Sequence, residues 1–220
     1  EEMVSSGGPG LTLILLAILP FVWALPQALT AAELGSAIPY TGGFYKWNQA
    51  ALGEFWGFMA GWGRVIAQYI EMPGYVILSI GVLLPLNGVE EYLLKAAIII
   101  LFTVVNLRGI KEVGWIATVI STLILIAFAG ITVIGFTHME YSPIDPVYNP
   151  DEGFLFSLGG ALALGMWMYS GFTSASTLAG DCKDKSVVWK SLLIALPIIA
   201  LVYILPTAAG VGSLGHWQDW

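Results

Sequence analysis

"GWIATVISTLILIAFAGITVIGFT", residues 114–137, runs for its whole length without a charged side chain. At about 1.5 Å of rise per residue it is long enough, as a helix, to cross a hydrocarbon layer about 30 Å thick. Five comparable runs flank it, at about 11–34, 55–84, 92–107, 154–180 and 190–212, separated by short loops rich in Pro, Gly and charge. The run at 92–107 is short. Alternating strands of about ten residues, which a membrane barrel needs, are not visible, so the spans read as helices. The fold class expected is therefore all-α: a polytopic transmembrane helical bundle with six spans, forming a single transmembrane domain over residues 1–220.

Composition agrees. The chain is 57% hydrophobic and 10% charged, with a mean hydropathy of +0.81, too apolar for an ordinary soluble domain. A net charge of -7 does not by itself name a partner, and nothing points to nucleic acid. The single cysteine, Cys182, excludes an internal disulfide and reads as an ordinary free thiol beside Lys183 and Asp184. HExxH, GxSxG and a phosphate loop ending in GK[ST] are all missing, and His138 and His216 stand alone. No catalytic residue, metal site or cofactor is expected.

With six spans, the loops after the first, third and fifth share a side. They carry Lys46, Arg108, Lys111, Lys183, Lys185 and Lys190, six of the 8 basic residues. The opposite loops carry Glu90, Glu91, Glu140, Asp145, Asp151 and Glu152, so the basic side is expected to be cytoplasmic. Both "EEMVSSGGPG" and "GHWQDW" then lie outside. With no signal peptide to translocate the first of these, one more helix is expected upstream of Glu1, and the chain reads as a piece of a larger transporter-like protein.

"MYSGFTSASTLAGD", residues 168–181, gives up side-chain hydrophobicity at the end of the fifth run. Ser170, Gly171, Thr173, Ser174, Ser176, Thr177 and Gly180 have poor helix propensity and hydroxyls able to cap freed backbone groups. In lipid a helix is interrupted only where protein or a watery cavity surrounds it, and transporters expose such broken ends to substrate. The competing reading is close helix packing, which also selects small residues. The neighbouring Trp167, Tyr169 and Phe172 tilt the balance, because they are placed to close over a small ligand, although aromatics there also serve as core.

The second run carries Arg64, Gln68 and Glu71 along one helical face, then Pro73 and Gly74, which are expected to weaken the helix. Arg64 reads as snorkelling from the cytoplasmic end, while Glu71 is deeper and harder to dismiss. Gly53, Gly57 and Gly61 read as close helix packing. Pro39, Gly42 and Gly43 mark a turn-rich loop, and "NLRGIKEVG", residues 106–114, a tight basic turn.

Three blocks carry a resemblance. "LPFVWALPQALTAAELGSAIPYTGGFYKWNQAALGEFWGFMAGW", residues 19–62, "VNLRGIKEVGW" and "MWMYSGFTSASTLAGDCKD" resemble amino acid-polyamine-organocation superfamily permeases, in the branch near plant polyamine uptake transporters and L-type amino acid transporters. The resemblance covers nearly the whole chain. It implies part of a 5+5 inverted-repeat, LeuT-like fold, the six spans matching helices two to seven of about twelve, with the expected upstream helix as the first.

The resemblance also implies site residues. Ser170 and Gly171 fall where the sixth helix unwinds and its carbonyls hold a substrate amino group, and Trp167 at the aromatic lid. Ala67, Gln68, Met72 and Tyr75 fall on a third-helix face lining the side-chain pocket, with Glu71 beside them as a candidate proton carrier. Thr173 stands where cationic-substrate members place a carboxylate, and residues 114–137 lack the lysine that some relatives place where others bind sodium. The function this implies is secondary active transport at the cell membrane, by proton symport or exchange (antiport), of a neutral amino acid in preference to a polyamine or cationic amino acid. A channel or a non-transporting scaffold is the alternative from another class. The partners expected are the small-molecule substrate and membrane lipid; an accessory subunit is left open.

Overall fold

The computed structural model describes residues 2–38, 40–83, 88–172, 174 and 186–219. Every regular element among them is helical: α1 (Glu2–Gly7), α2 (Pro9–Leu19), a π-helical turn (Pro20–Ala24), α3 (Leu25–Ala37), α4 (Phe44–Leu52), α5 (Glu54–Leu83), α6 (Val89–Arg108), α7 (Ile110–Thr137), α8 (Phe154–Met168), α9 (Ser186–Leu214) and a closing 3-10 turn (Trp217–Asp219). Each expected span finds a helix. Pro9–Ala37, Ile110–Thr137 and Lys190–Leu214 are long and apolar enough to cross a membrane on length and composition, and α8 is apolar but shorter. Helices α5 and α6 have the length, 30 and 20 residues, and carry charged side chains, Glu54, Arg64 and Glu71 in α5 and Glu90, Glu91, Lys95 and Arg108 in α6.

The chain divides into two compact units, Glu1–Trp47 with Leu125–Trp220, and Asn48–Ile124. In the first, Met3 of α1, Leu11, Leu15, Leu16 and Leu19 of α2, Ala28 of α3, Ala161 of α8, and Leu192 and Leu196 of α9 bury one another in a single core. Small residues set the closeness of this packing. A Cβ on Gly7 would lie 2.7 Å from the Ala161 Cβ, and one on Gly135 of α7 would lie 2.8 Å from both the Cβ and the carbonyl oxygen of Ala209 in α9. The outward side chains of α7 in this unit, such as Ile126 and Val133, are each 64% exposed, as befits a surface facing hydrocarbon.

Pro20 explains the π turn. It has no N–H, so the α-helical bond to the Leu16 carbonyl cannot form, and the helix widens over Pro20–Ala24 before resuming as α3.

In the second unit, α4 folds back on α5. A Cβ on Gly57 would sit 2.7 Å from the Gln49 Cβ, so that position needs glycine for close approach. Gly53 corrects the packing-stripe expectation: with φ of 92° it is the junction between α4 and α5, outside either helix. At Pro73 and Gly74, where weakening is expected, α5 nevertheless runs on through both. Membrane helices tolerate such a proline when surrounding groups meet the freed carbonyl. Gly109 alone separates α6 from α7, and the basic turn predicted there contains no further loop. Glu90 and Glu91 in the first turn of α6 and Arg108 in its last complement the helix dipole, and Lys95 pairs with Glu91.

Candidate functional site

Helix α8 stops at Met168, about 22 Å after it starts, too short to cross a hydrocarbon layer unaided. Among the described residues, the α-helix in the run predicted over 154–180 reaches only Met168, and the chain leaves it where the small residues begin. Gly171, at φ of 105°, takes the left-handed conformation that side chains resist.

Ending a helix in apolar surroundings frees its last carbonyls, and here side chains answer them. The Met166 carbonyl accepts from the Ser170 hydroxyl at 2.6 Å and from the Trp23 Nε1–H at 3.1 Å. The Trp167 carbonyl accepts from the Ser170 N–H at 3.0 Å, and the Met168 carbonyl from the Tyr203 hydroxyl at 3.3 Å. The Tyr169 hydroxyl reaches away, to the Leu16 carbonyl at 2.8 Å, the acceptor left open by Pro20. Its ring meets Tyr203 edge-on with centroids 5.3 Å apart.

The three aromatics proposed to close over a ligand therefore divide. Tyr169 is fully buried and Phe172 nearly so, both within the core, whereas Trp167 is half exposed. Ser170 and Gly171 are exposed, and the Gly171 carbonyl accepts from the Ser174 N–H at 2.9 Å. Thr173, Ser176, Thr177, Gly180 and Cys182 lie outside the described residues.

The third-helix positions belong to the other unit. On α5, Ala67, Met72 and Tyr75 are exposed and Gln68 and Glu71 partly so, and the Tyr75 hydroxyl donates to the Glu71 carboxylate at 2.8 Å, one turn apart. Two open apolar grooves, of about 370 Å³ between α6 and α7 and about 290 Å³ between α7 and α9, are lined by none of these residues. Among the described residues no group of His, Cys, Asp and Glu gathers as a metal site.

Sequence reasoning missed two things. Trp23 and Tyr203, apolar-span aromatics with no motif around them, hold the α8 end through the Met166 and Met168 carbonyls, and no local signal marks them; Pro20, which announces an unanswered Leu16 carbonyl, was a signal for Tyr169. The second omission is the segment "EEMVSSGGPG", read only as an end on the outer side. It forms α1, buried through Met3 and Val4, and a second helix break at Gly8, where φ is 82°. Beside that break the Ser6 hydroxyl is buried without a hydrogen-bond partner and lies against Gly160 of α8.

Residues 1–217 match the family described as amino acid permease. The chain belongs to that family. This permease chain is similar to a probable polyamine transporter of Arabidopsis thaliana, 31% identical over 234 residues, covering 100% of this chain and 46% of the relative. It is similar to polyamine transporter PUT1 of Oryza sativa subsp. japonica, 30% identical over 233 residues, covering 100% of this chain and 42% of the relative. A more distant relative is the uncharacterized transporter Rv1999c of Mycobacterium tuberculosis, 26% identical over 195 residues, 88% of this chain and 43% of the relative. The chain thus spans a little under half the length of the curated relatives it matches. No solved structure matches it significantly. Family and apolar helices together make the permease chain a multi-pass membrane protein, and the resemblance to the amino acid-polyamine-organocation superfamily holds.

Proposed function

We propose that the permease chain is part of a secondary active transporter of the cell membrane that moves a small amine-bearing solute by alternating access, without covalent chemistry. The observation that carries this reading is the end of α8 at Met168 inside an apolar run, with an exposed Ser170–Gly171 corner beside it. There the corner backbone receives an ammonium group, and Trp167, half exposed and next to the corner, covers it. Ala67, Gln68, Met72 and Tyr75 are a second set of substrate-facing residues, and Glu71, paired with Tyr75, carries a proton when transport is coupled to one. Tyr169 and Phe172 act from beneath, as the packed support of the corner.

Two substrate classes are supported. A neutral amino acid follows from Thr173, which brings no counter-charge to a second ammonium group. A polyamine follows from the relatives, since those from Arabidopsis thaliana and Oryza sativa subsp. japonica are named polyamine transporters. Symport and exchange both fit the same residues. Uptake of labelled leucine, alanine, arginine and putrescine into proteoliposomes holding the full-length protein, with and without an inward proton gradient, tests the reading. Saturable uptake of one class supports it and selects the substrate; unsaturable flux of all four would make the protein a channel instead.

A further inference from the structure

The break between α1 and α2 frees backbone groups on both sides, and the loop between α7 and α8 answers half of those described. The Met3 carbonyl accepts from the Thr12 hydroxyl at 2.8 Å and the Val4 carbonyl from the Gly8 N–H at 2.8 Å. The Ser5 carbonyl accepts from the Asn149 side-chain amide at 3.0 Å. On the α2 side, the Gly10 N–H donates to the Pro146 carbonyl at 3.2 Å, the Leu11 N–H to the Val147 carbonyl at 2.6 Å, and the Thr12 N–H to the Gly8 carbonyl at 3.1 Å. Asn149 is also tied to its own loop and to α8. Its Oδ1 accepts from the Asp151 N–H at 3.0 Å, and its carbonyl accepts from the Gly153 N–H at 3.2 Å and the Ser157 hydroxyl at 3.4 Å.

The fit is steric as well as polar. A Cβ on Gly8 would lie 2.7 to 2.8 Å from the backbone of Tyr148 and Asn149, and one on Gly10 would lie 2.4 Å from the Ile144 carbonyl oxygen. The loop backbone therefore sits in a two-glycine notch. The loop's apolar side chains contribute little to holding it there: Ile144, Val147 and Tyr148 are 55%, 51% and 40% exposed, and Tyr148 meets the half-exposed Phe154 ring of α8, edge-on with centroids 5.8 Å apart. An attachment made of hydrogen bonds and shape, with little apolar burial, opens without disturbing the core.

We propose that residues 144–149 are a latch over the α1–α2 break, pinned by Asn149, and that its release exposes the break during the transport cycle. Asn149 is a positioning residue, acting through the Ser5 carbonyl. The role rests on the transport reading; the latch geometry does not.

Thiol accessibility separates the two. In the full-length protein in nanodiscs, Cys182→Ser removes this chain's one thiol and Ser6→Cys places one beside the break. The labelling rate with a membrane-impermeant maleimide is then measured. Asn149→Ala is expected to raise it at least tenfold. Asn149→Asp keeps an acceptor for the Asp151 N–H but cannot donate to the Ser5 carbonyl, so it is expected to label equally fast. Gly10→Ala, which pushes on the Ile144 carbonyl and leaves Asn149 intact, is expected to do the same and stands in if Asn149→Ala fails to fold. Wild-type labelling in all three variants would overturn the latch, and wild-type labelling in Asn149→Asp alone would reduce Asn149 to a loop-folding residue. A substrate found by the uptake assay is expected to change the labelling rate of the otherwise wild-type protein, and an unchanged rate would detach the latch from transport. Fast-labelling variants in a protein that transports none of the tested solutes would leave the latch standing and the transport reading refuted.

Discussion

The Tyr169 hydroxyl donates to the Leu16 carbonyl at 2.8 Å, across 153 residues of sequence, and Leu16 is the residue whose helical partner Pro20 cannot supply. A proline in one helix and a tyrosine at the end of another thus solve one problem together. Leaving a buried carbonyl unanswered costs about 1–3 kcal/mol. Tyr169→Phe is expected to lose about that much stability, read as a lower thermal midpoint in detergent. In a Pro20→Ala background, where an N–H is restored, the same substitution is expected to cost less than about 1 kcal/mol. Equal losses in both backgrounds would break the link between the two residues.

Close approaches made through glycine differ in what they meet. A Cβ on Gly165 would run into the flexible ends of Leu19 and Met3, whereas one on Gly135 would press on the Ala209 backbone. Alanine gains up to about 1 kcal/mol of helix propensity at either site. Gly165→Ala is therefore expected to be near neutral, and Gly135→Ala to lose about 1–3 kcal/mol through overpacking that the backbone cannot relieve. Urea unfolding of the two variants side by side checks the order.

Trp167 is half exposed, so removing its ring leaves the core intact. Trp167→Ala is expected to keep the wild-type gel-filtration profile and thermal midpoint while lowering the initial uptake rate at least about tenfold, since the bound solute loses its cover. Unchanged uptake kinetics would take the residue out of the site.

Glu71 and Tyr75 form a pair one turn apart on α5. If the carboxylate carries the coupled proton, Glu71→Gln makes uptake insensitive to an imposed proton gradient, whereas Tyr75→Phe keeps the response with a reduced rate. Flux measured against gradient size distinguishes them, and a full gradient response in Glu71→Gln would assign the residue to structure.

Much of the architecture was legible because hydrophobic length is a local property. The uncharged run over 114–137 lies within α7, and the drop in hydrophobicity after Met168 marked where α8 ends. What the sequence did not disclose depends on distant partners. Which of Trp167, Tyr169 and Phe172 turns inward is decided by the Leu16 carbonyl and by Tyr203, far away along the chain. The glycines at 8 and 10 drew no notice in a segment read only as an outer end, because the loop backbone that fills their notch comes from residues 144–149. Even Pro73, a good local breaker by rule, gives way to the helical context around it.

The π turn at Pro20–Ala24 also fixes an angle. A π turn accommodates one residue more than a regular helical turn, and each residue in a helix advances the azimuth by about 100°. The seam Ala28, Ala31 and Gly35, buried in a unit where α3 packs on α9, is consequently phased by the turn itself. Straightening the turn with every residue kept would carry the extra residue into the regular spiral, rotating that seam by about 100° and presenting bulkier neighbours in its place. The turn acts as the gear that sets the two halves of one long helix in phase, α2 against α8 and α9 and α3 against α9.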